Sequence, residues 1–96
     1  GWAILDSDKS GSVTYKTSGR ITISNQGHIT QRLSSLYESL KNILTDYQPS
    51  IAAIEETFVN INPRSSMALS FARGTILCCL GQHQIKTLEF APNTIK

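Results

Sequence analysis

Two adjacent carboxylates, Glu55 and Glu56, follow a short apolar run and are the side chains of this sequence best placed to do chemistry. The run over 50–57 is continuous rather than alternating, which is typical of a strand covered on both faces in a parallel sheet. Successive strand residues point to opposite faces, so only one of the two can share the face of a given site. A carboxylate there is the hard oxygen ligand that Mg²⁺ requires, with water and phosphate completing the shell. The spacing alone favours the other interpretation, that both are solvated charges at the end of a strand.

Other familiar kinds of site are poorly supported. His28 and His83 lie far apart without a motif around them, and neither standard form of phosphate-binding glycine loop occurs. Cys78 and Cys79 are adjacent, so they cannot form an ordinary intramolecular bridge, and no second Cys or His group stands at metal-ligand spacing. The interpretation is two small core residues in a protein of a reducing compartment, the cytoplasm.

Composition sets the scale of the domain. The chain has 96 residues, of which 40% are hydrophobic, which predicts one globular domain that hides roughly 65% of the surface of the unfolded chain. No apolar run approaches the roughly 18 residues of a membrane span, so no membrane partner is expected. The net charge is only +2, so any nucleic-acid binding must come from a local concentration of charge.

The elements that position the carboxylates begin with a hairpin. Residues 1–5 form an apolar run, and residues 12–24 alternate between apolar and polar side chains. The polar, glycine-containing stretch 6–11 between them predicts a turn, so the two segments are expected to be antiparallel strands. Gly19 is the predicted site of a bulge.

Two helices are predicted, over 29–47 and 63–80. The first ends before Pro49, because the residue that precedes a proline avoids the α region. The second begins at the Asn62-Pro63 pair, with the asparagine as N-cap, and Gly81 suits its C-terminal cap. The first helix has a wide apolar stripe at steps of three and four residues: Ile29, Leu33, Leu36, Tyr37, Leu40, Ile43, Leu44 and Tyr47. The predicted inner stripe of the second is Met67, Phe71, Ile76 and Leu80.

The predicted order is β-β-α-β-α-β, with the last strand around 85–90 and a turn at Pro92. Each later strand follows a helix, so right-handed crossovers and a partly parallel sheet are expected, and the early hairpin makes that sheet mixed. The fold class is therefore α/β, a mixed sheet flanked by helices. Sheets of this type place their sites at the carboxyl ends of the parallel strands, which is where Glu55 stands.

Several stretches resemble RuvC-type Holliday-junction resolvases. Residues 53–58, AIEETF, resemble the family's A-I-E-x-x-F stretch, and residues 60–74 resemble its N-x-x-S-A-x-x-L-x-x-A-R-G helix. Residues 1–2, GW, are similar to the T-G-[WY] that follows the family's first catalytic strand. Residues 91–96, APNTIK, resemble the start of its P-x-x-[VI]-K segment. The resemblance covers essentially the whole chain, and residues 50–74 are its specific part.

The resemblance implies an RNase H-like fold, of which residues 1–96 form a single incomplete nuclease domain. The family's first catalytic aspartate lies on a strand before the T-G-[WY] segment, and its last two acidic ligands lie on a C-terminal helix. Both elements are expected to be missing. Glu55 alone matches one of the family's metal-binding carboxylates, so the chain by itself is expected to be inactive. The implied cofactor is a pair of Mg²⁺ ions, with Mn²⁺ as a substitute.

Residue roles follow from the same resemblance. Glu55 matches the second catalytic carboxylate, and Lys96 matches a basic residue near the scissile phosphate. Phe58 matches an aromatic residue that stacks on bases or wedges between them, with ordinary core packing as the alternative. Asn62 is primarily a helix cap, and contact with the DNA backbone is the second reading. Two residues of the second helix, Arg64 and Arg73, are candidates for phosphate contacts. For Arg73, bracing of the fold is an equal alternative.

The function implied is that of an endonuclease that cuts two opposing strands of a four-way DNA junction. It would act as a homodimer that pairs through helix 63–80, with a branch-migration complex as a further partner, in the cytoplasm at the nucleoid. Two alternatives stay open. One is a non-catalytic RNase H-like relative that binds nucleic acid or a partner, and the other is a nuclease of the same fold with a different substrate.

Overall fold

The computed structural model describes residues 1–23, 26–55 and 63–90, with the side chains of all of these except 63–66. The predicted order β-β-α-β-α-β is confirmed. The elements are β1 (Trp2–Ser7), β2 (Val13–Gly19), α1 (Ile29–Tyr47), β3 (Ile51–Glu55), α2 (Pro63–Gln82) and β4 (Lys86–Phe90).

The hairpin of β1 and β2 is antiparallel and irregular at one point. Ile4 pairs with Thr17 and Leu5 pairs with Tyr15, so the ladder skips Lys16. The bulge therefore lies at Lys16 and not at the predicted Gly19. That glycine ends β2 well before the predicted residue 24 and lies opposite Trp2. A Cβ on Gly19 would come within 2.7 Å of Trp2 Cζ2, so its role is to let the indole lie against the neighbouring strand.

The hairpin is docked on the end of α1 by aromatic contact. The rings of Trp2 and Tyr47 are 6.3 Å apart between centroids and tilted by 46°, within the usual range for an attractive aromatic pair. The bulge brings Lys16 Nζ to 5.8 Å from the centroid of the same Tyr47 ring, where a cation is attracted by the ring quadrupole. The irregular strand thus provides one of the contacts that hold the hairpin.

Helix α1 has the predicted bounds, and its apolar stripe buries Leu36 and Leu44. Gln48 then takes a left-handed conformation, with φ of 47°, and its backbone N–H donates to the Leu44 carbonyl at 2.9 Å. This bond satisfies one of the carbonyls that a helix end leaves open. Pro49 follows directly, so the helix ends where the sequence predicts.

The strands form two separate pairs in the part of the chain that is described. β1 and β2 are antiparallel, while β3 and β4 are parallel, with Ile51 opposite Lys86 and Glu55 opposite Phe90. Both kinds of pairing that make a mixed sheet are present, but no ladder joins the two pairs into the single sheet that was expected.

Helix α2 begins at Pro63 as predicted but passes Gly81, which lies inside the helix rather than at its cap. The left-handed turn falls instead at Gln84, with φ of 56°. The Gln84 N–H donates to the Gly81 carbonyl at 3.0 Å, and the Ile85 N–H donates to the Leu80 carbonyl at 3.1 Å. These bonds close the helix end without a glycine at the turn.

The core lies between the second halves of the two helices and the start of the parallel pair. Leu44, Cys79 and Leu80 are its buried centre, and the half-buried side chains packed on it are Tyr37, Leu40, Ala52, Ile76 and Ile85. Cys79 is fully enclosed, as predicted for a small core residue, but the same prediction is wrong for Cys78, which is exposed.

The predicted inner stripe of α2 is wrong for two of its four members. Met67 and Phe71 are 60% and 45% exposed. The five-residue step from Phe71 to Ile76 turns an α-helix by about 140°, so the two halves of that stripe cannot share one face. Met67 and Phe71 lie instead on one face with two residues that are also exposed. We call this face the outer stripe: Met67, Phe71, Gly74 and Cys78.

Candidate active site

Glu55 is the last residue of β3, and its side chain is exposed. Alternate residues of β3 face the helices, since Ala52 and Ile54 are half-buried and Ala52 packs on the core. Glu55 therefore lies on the opposite face of the parallel pair. That face also carries exposed apolar side chains, and we call it the open face: Ile51, Ala53, Glu55 and Leu88.

The Glu55 carboxylate is available as a ligand. Among the residues that are described, it forms no hydrogen bond or ion pair. An exposed, uncommitted carboxylate at the carboxyl end of a parallel strand fits the hard oxygen ligand that Mg²⁺ takes from a protein. In those same segments, 1–23, 26–55 and 63–90, no three acidic, histidine or cysteine side chains come close enough to hold a metal ion together.

Asp8, by contrast, is committed to the hairpin turn. Its Oδ1 accepts bonds from Ser10 Oγ at 2.6 Å, Ser10 N at 2.9 Å and Ser12 N at 3.0 Å. The bond from the Ser10 hydroxyl is the chief reason that the pKa of Asp8 lies below its ordinary value. The carboxylate replaces backbone partners in the turn, which is a structural role.

Arg73 reaches from α2 to β4. Its Nη2 donates to Glu89 Oε1 in an ion pair, and its Nη1 is buried with no acceptor among the described residues. Glu89 pairs in register with Ile54, the residue before Glu55, and both face the helices. Arg73 and Glu55 therefore lie on opposite faces of the same strand pair.

Most of the other predicted site residues lie outside the described residues: Phe58, Asn62 and Lys96. Glu56, the neighbour of Glu55, lies there as well. Arg64 belongs to α2, but its side chain is among those that the structure does not describe. Sequence reasoning missed Glu89 as the partner of Arg73. The signal for it was a charged residue two positions after Thr87, on the helix-facing register of a short strand.

Neither described helix is both long enough and apolar enough to cross a membrane.

Comparison with known proteins gives a consistent result. The family model described as "Crossover junction endodeoxyribonuclease RuvC" matches residues 1–96. Proteins of that name from Rickettsia bellii (strain RML369-C) and Rickettsia prowazekii (strain Madrid E) are 42% and 41% identical over 96 residues. Each alignment covers 100% of this chain and 60% of the relative. The chain thus spans about 60% of the length of these curated relatives.

Two solved structures share the fold. "T. thermophilus RuvC in complex with Holliday junction substrate" superposes with a TM-score of 0.86, over 98% of this chain and 60% of that one. "Thermus thermophilus RuvC structure" gives a TM-score of 0.75, over 94% of this chain and 54% of that one. Both are 14% identical in sequence, so the likeness is one of fold. It confirms the predicted α/β class of RNase H-like type.

Proposed function

The chain belongs to the RuvC family of crossover junction endodeoxyribonucleases, and from that premise we propose that the full-length protein is an endonuclease that cuts four-way DNA junctions. By full-length protein we mean this chain together with the family segments that it does not span, with residues 1–96 as part of one nuclease domain. The observation that carries the proposal is the exposed, uncommitted Glu55 carboxylate at the carboxyl end of the parallel pair. The reaction is phosphodiester hydrolysis of two opposing strands.

Glu55 would hold the metal in this reaction. A pair of Mg²⁺ ions, with Mn²⁺ as a substitute, supplies activation of water and stabilisation of the leaving 3′ oxygen when bound. Glu55 offers the ions an anionic oxygen that forms no bond with any other described residue. Its place at the end of a paired strand fixes its backbone, since Glu55 lies in register with Phe90. A ligand held in this way needs little reorganisation when the metal arrives.

The open face indicates where the remaining acidic ligands would come from. Ile51 and Leu88 are exposed apolar residues on the same face as Glu55, and apolar sheet surface of this kind is normally covered. The resemblance places the last two acidic ligands on a C-terminal helix. Such a helix, packed on Ile51 and Leu88, would bring its carboxylates toward Glu55.

The DNA contacts would come from the residues that follow the two parallel strands. Phe58 follows β3 closely in the chain and would stack on bases or wedge between them, an interaction worth about 1–3 kcal/mol per base. Asn62 and Arg64 flank the start of α2 and would contact the DNA backbone. Lys96 follows β4 and would place a positive charge near the scissile phosphate.

The experiment that tests this function compares substrates. The full-length protein is incubated with a labelled four-way junction and, separately, with linear duplex of the same sequence, with Mg²⁺, Mn²⁺ or a chelator. We expect metal-dependent, symmetric cleavage of the junction alone, and junction affinity that falls steeply with salt because phosphate contacts release counterions. Binding without cleavage under all metals would favour the non-catalytic alternative. Equal cleavage of linear duplex would favour a nuclease with a different substrate.

The full-length protein would act as a homodimer through α2. Its outer stripe has the 4-3-4 spacing of a helix–helix seam and contains no charged residue, so it suits a second copy of itself. Gly74 leaves open space where a Cβ would stand, which allows a second backbone to approach. A groove beside it, bordered by Leu33 and Tyr37 of α1, can receive a partner side chain. A branch-migration complex would be a further partner, in the cytoplasm at the nucleoid.

The dimer makes a specific prediction. Phe71→Lys places two charges in the seam, one from each copy, and should raise the dimer dissociation constant at least about a hundredfold, the loss expected for an aromatic anchor. Sedimentation equilibrium of the full-length protein measures it. Leu69→Lys is the matched control, because Leu69 is also 45% exposed but lies on the other side of the helix. Dissociation by Leu69→Lys and not by Phe71→Lys would place the interface on the opposite face of α2 and contradict this proposal.

A further inference from the structure

One half-buried charged side chain, Arg73, has no part in the proposed mechanism. The Arg73 side chain is 17% exposed, while its partner Glu89 is 46% exposed. Arg73 Nη1 is enclosed and has no acceptor within the described segments. A guanidinium enclosed in this way depends on its one carboxylate partner, because an unpaired buried cation is costly. This geometry turns Arg73 toward β4 and away from solvent, where a phosphate would have to approach.

The ion pair joins α2 to the strand pair near the carboxyl end of the parallel ladder. Glu89 lies opposite Ile54 in the parallel ladder, and the next pair along is Glu55 with Phe90. The core packs at the other end of the ladder, around Ala52 and Ile85. The Arg73–Glu89 pair is therefore the described charged contact that holds the carboxyl end of the ladder against α2.

We propose that Arg73 is a positioning residue for the metal-binding carboxylate: by holding Glu89 it fixes the ends of β3 and β4, and with them the position of Glu55. This inference rests on the proposed function, in which Glu55 is a metal ligand. Groups that orient a ligand from behind typically contribute about 10- to 100-fold in metal affinity or activity. Arg73 acts on Glu55 through the backbone of the ladder, so the lower end of that range applies.

The experiment uses the full-length protein and four variants: Arg73→Met, Arg73→Lys, Glu89→Gln and the charge swap Arg73→Glu/Glu89→Arg. Arg73→Met and Glu89→Gln should each lower kcat and raise the Mn²⁺ dissociation constant by about tenfold. Free-ion EPR measures the Mn²⁺ affinity without any cleavage. KM and the dissociation constant for the four-way junction should not change. Arg73→Lys should retain most of the affinity, and the charge swap should recover part of the loss of the single variants.

A second readout is independent of the metal. Backbone amide exchange at the Glu55 and Phe90 positions should accelerate in Arg73→Met, while exchange at the other end of the ladder stays unchanged. A further variant, Glu89→Ala, is compared with Arg73→Met for stability. Glu89→Ala leaves a half-buried cation unpaired and should lower Tm more than Arg73→Met, which leaves a half-exposed carboxylate that water can solvate.

The other outcomes overturn the inference. A phosphate contact would appear as weaker junction binding in Arg73→Met, with a salt slope reduced by about one and no effect from Glu89→Gln. A brace without a positioning role would lower Tm but leave kcat and Mn²⁺ affinity unchanged at temperatures where every variant is folded. Failure of the proposed function is distinguishable, because the unmodified protein would then not cleave the junction at all.

Discussion

Glu55→Gln is expected to abolish junction cleavage by the full-length protein and to leave junction binding intact. Glutamine keeps the size and one carbonyl oxygen of the side chain but removes the anionic charge that a hard dication requires. Metal-ion catalysis supplies several kcal/mol of stabilisation to the transition state, so the loss in kcat should be at least about a thousandfold. Glu55 is exposed, so its replacement should not disturb folding. Single-turnover cleavage and gel-shift titration of the same junction separate the two effects.

The controls for this prediction are the same substitution at two other glutamates, Glu56 and Glu38. Glu56→Gln should be mild, because the resemblance matches Glu55, and not Glu56, to a metal-binding carboxylate. Glu38→Gln changes an exposed carboxylate on α1 and should have no effect on either step. A full-length protein in which Glu56 is essential and Glu55 dispensable would contradict the assignment of the metal ligand.

The 96-residue chain on its own is expected to show no cleavage. Two dications about 3.5–4 Å apart need several carboxylates to hold them, and Mg²⁺ binds weakly to one carboxylate because it releases its waters reluctantly. Across the described segments, Glu55 belongs to no group of three acidic, histidine or cysteine side chains that could hold a metal ion. The open face and the unpaired strand edges should also make the isolated chain prone to association. The purified chain is incubated with a labelled four-way junction and Mg²⁺, beside the full-length protein at the same concentration.

Metal-dependent, symmetric cleavage by the isolated chain that disappears in its Glu55→Gln variant would show that this account of the active site is wrong. Light scattering of the same samples reports association separately. Inactivity in a well-dispersed sample would then be due to the missing ligands rather than to aggregation.

Local signals were sufficient to predict the helices where those signals are strong. The bounds of α1 follow from its apolar stripe and from Pro49, and α2 begins at Pro63 for the reason that its sequence suggests. The far end of α2 was not predictable in this way. Gly81 suits a cap, but the chain completes the turn through Gln84 because the Ile85 N–H reaches the Leu80 carbonyl. The periodicity of apolar residues does not indicate which of these helix ends the chain adopts.

The inner face of α2 was also beyond local pattern. Apolar side chains occupy two opposite sides of this helix, Met67 and Phe71 on one and Ile76 and Leu80 on the other, so periodicity alone does not select which side is buried. The choice depends on where α1 and the strand pair contact the helix. The single mixed sheet was expected from the order of elements, but element order does not show which edges meet.

The candidate site divides in the same way. Glu55 was predictable, because the apolar run before it and the A-I-E-x-x-F pattern both end on it. The pairing of Arg73 with Glu89 was not, because it joins residues 16 positions apart on a helix and a strand. It depends on how α2 lies over β4, which neither element encodes alone. The alternative reading of Arg73 as a brace is the one that this contact favours.

The two adjacent thiols differ in exposure. Cys78 is open to solvent, and Cys79 is fully enclosed; burial is the chief reason that the pKa of the Cys79 thiol is raised. In a single copy of the chain, where the outer stripe is uncovered, a thiol reagent should therefore modify Cys78 at once. It should modify Cys79 only when the helices separate, since both access and thiolate are lacking in the closed state. The ratio of the two labelling rates reports how often the interior opens. The chain thus contains a built-in measure of its own local unfolding, with the internal reference one residue away.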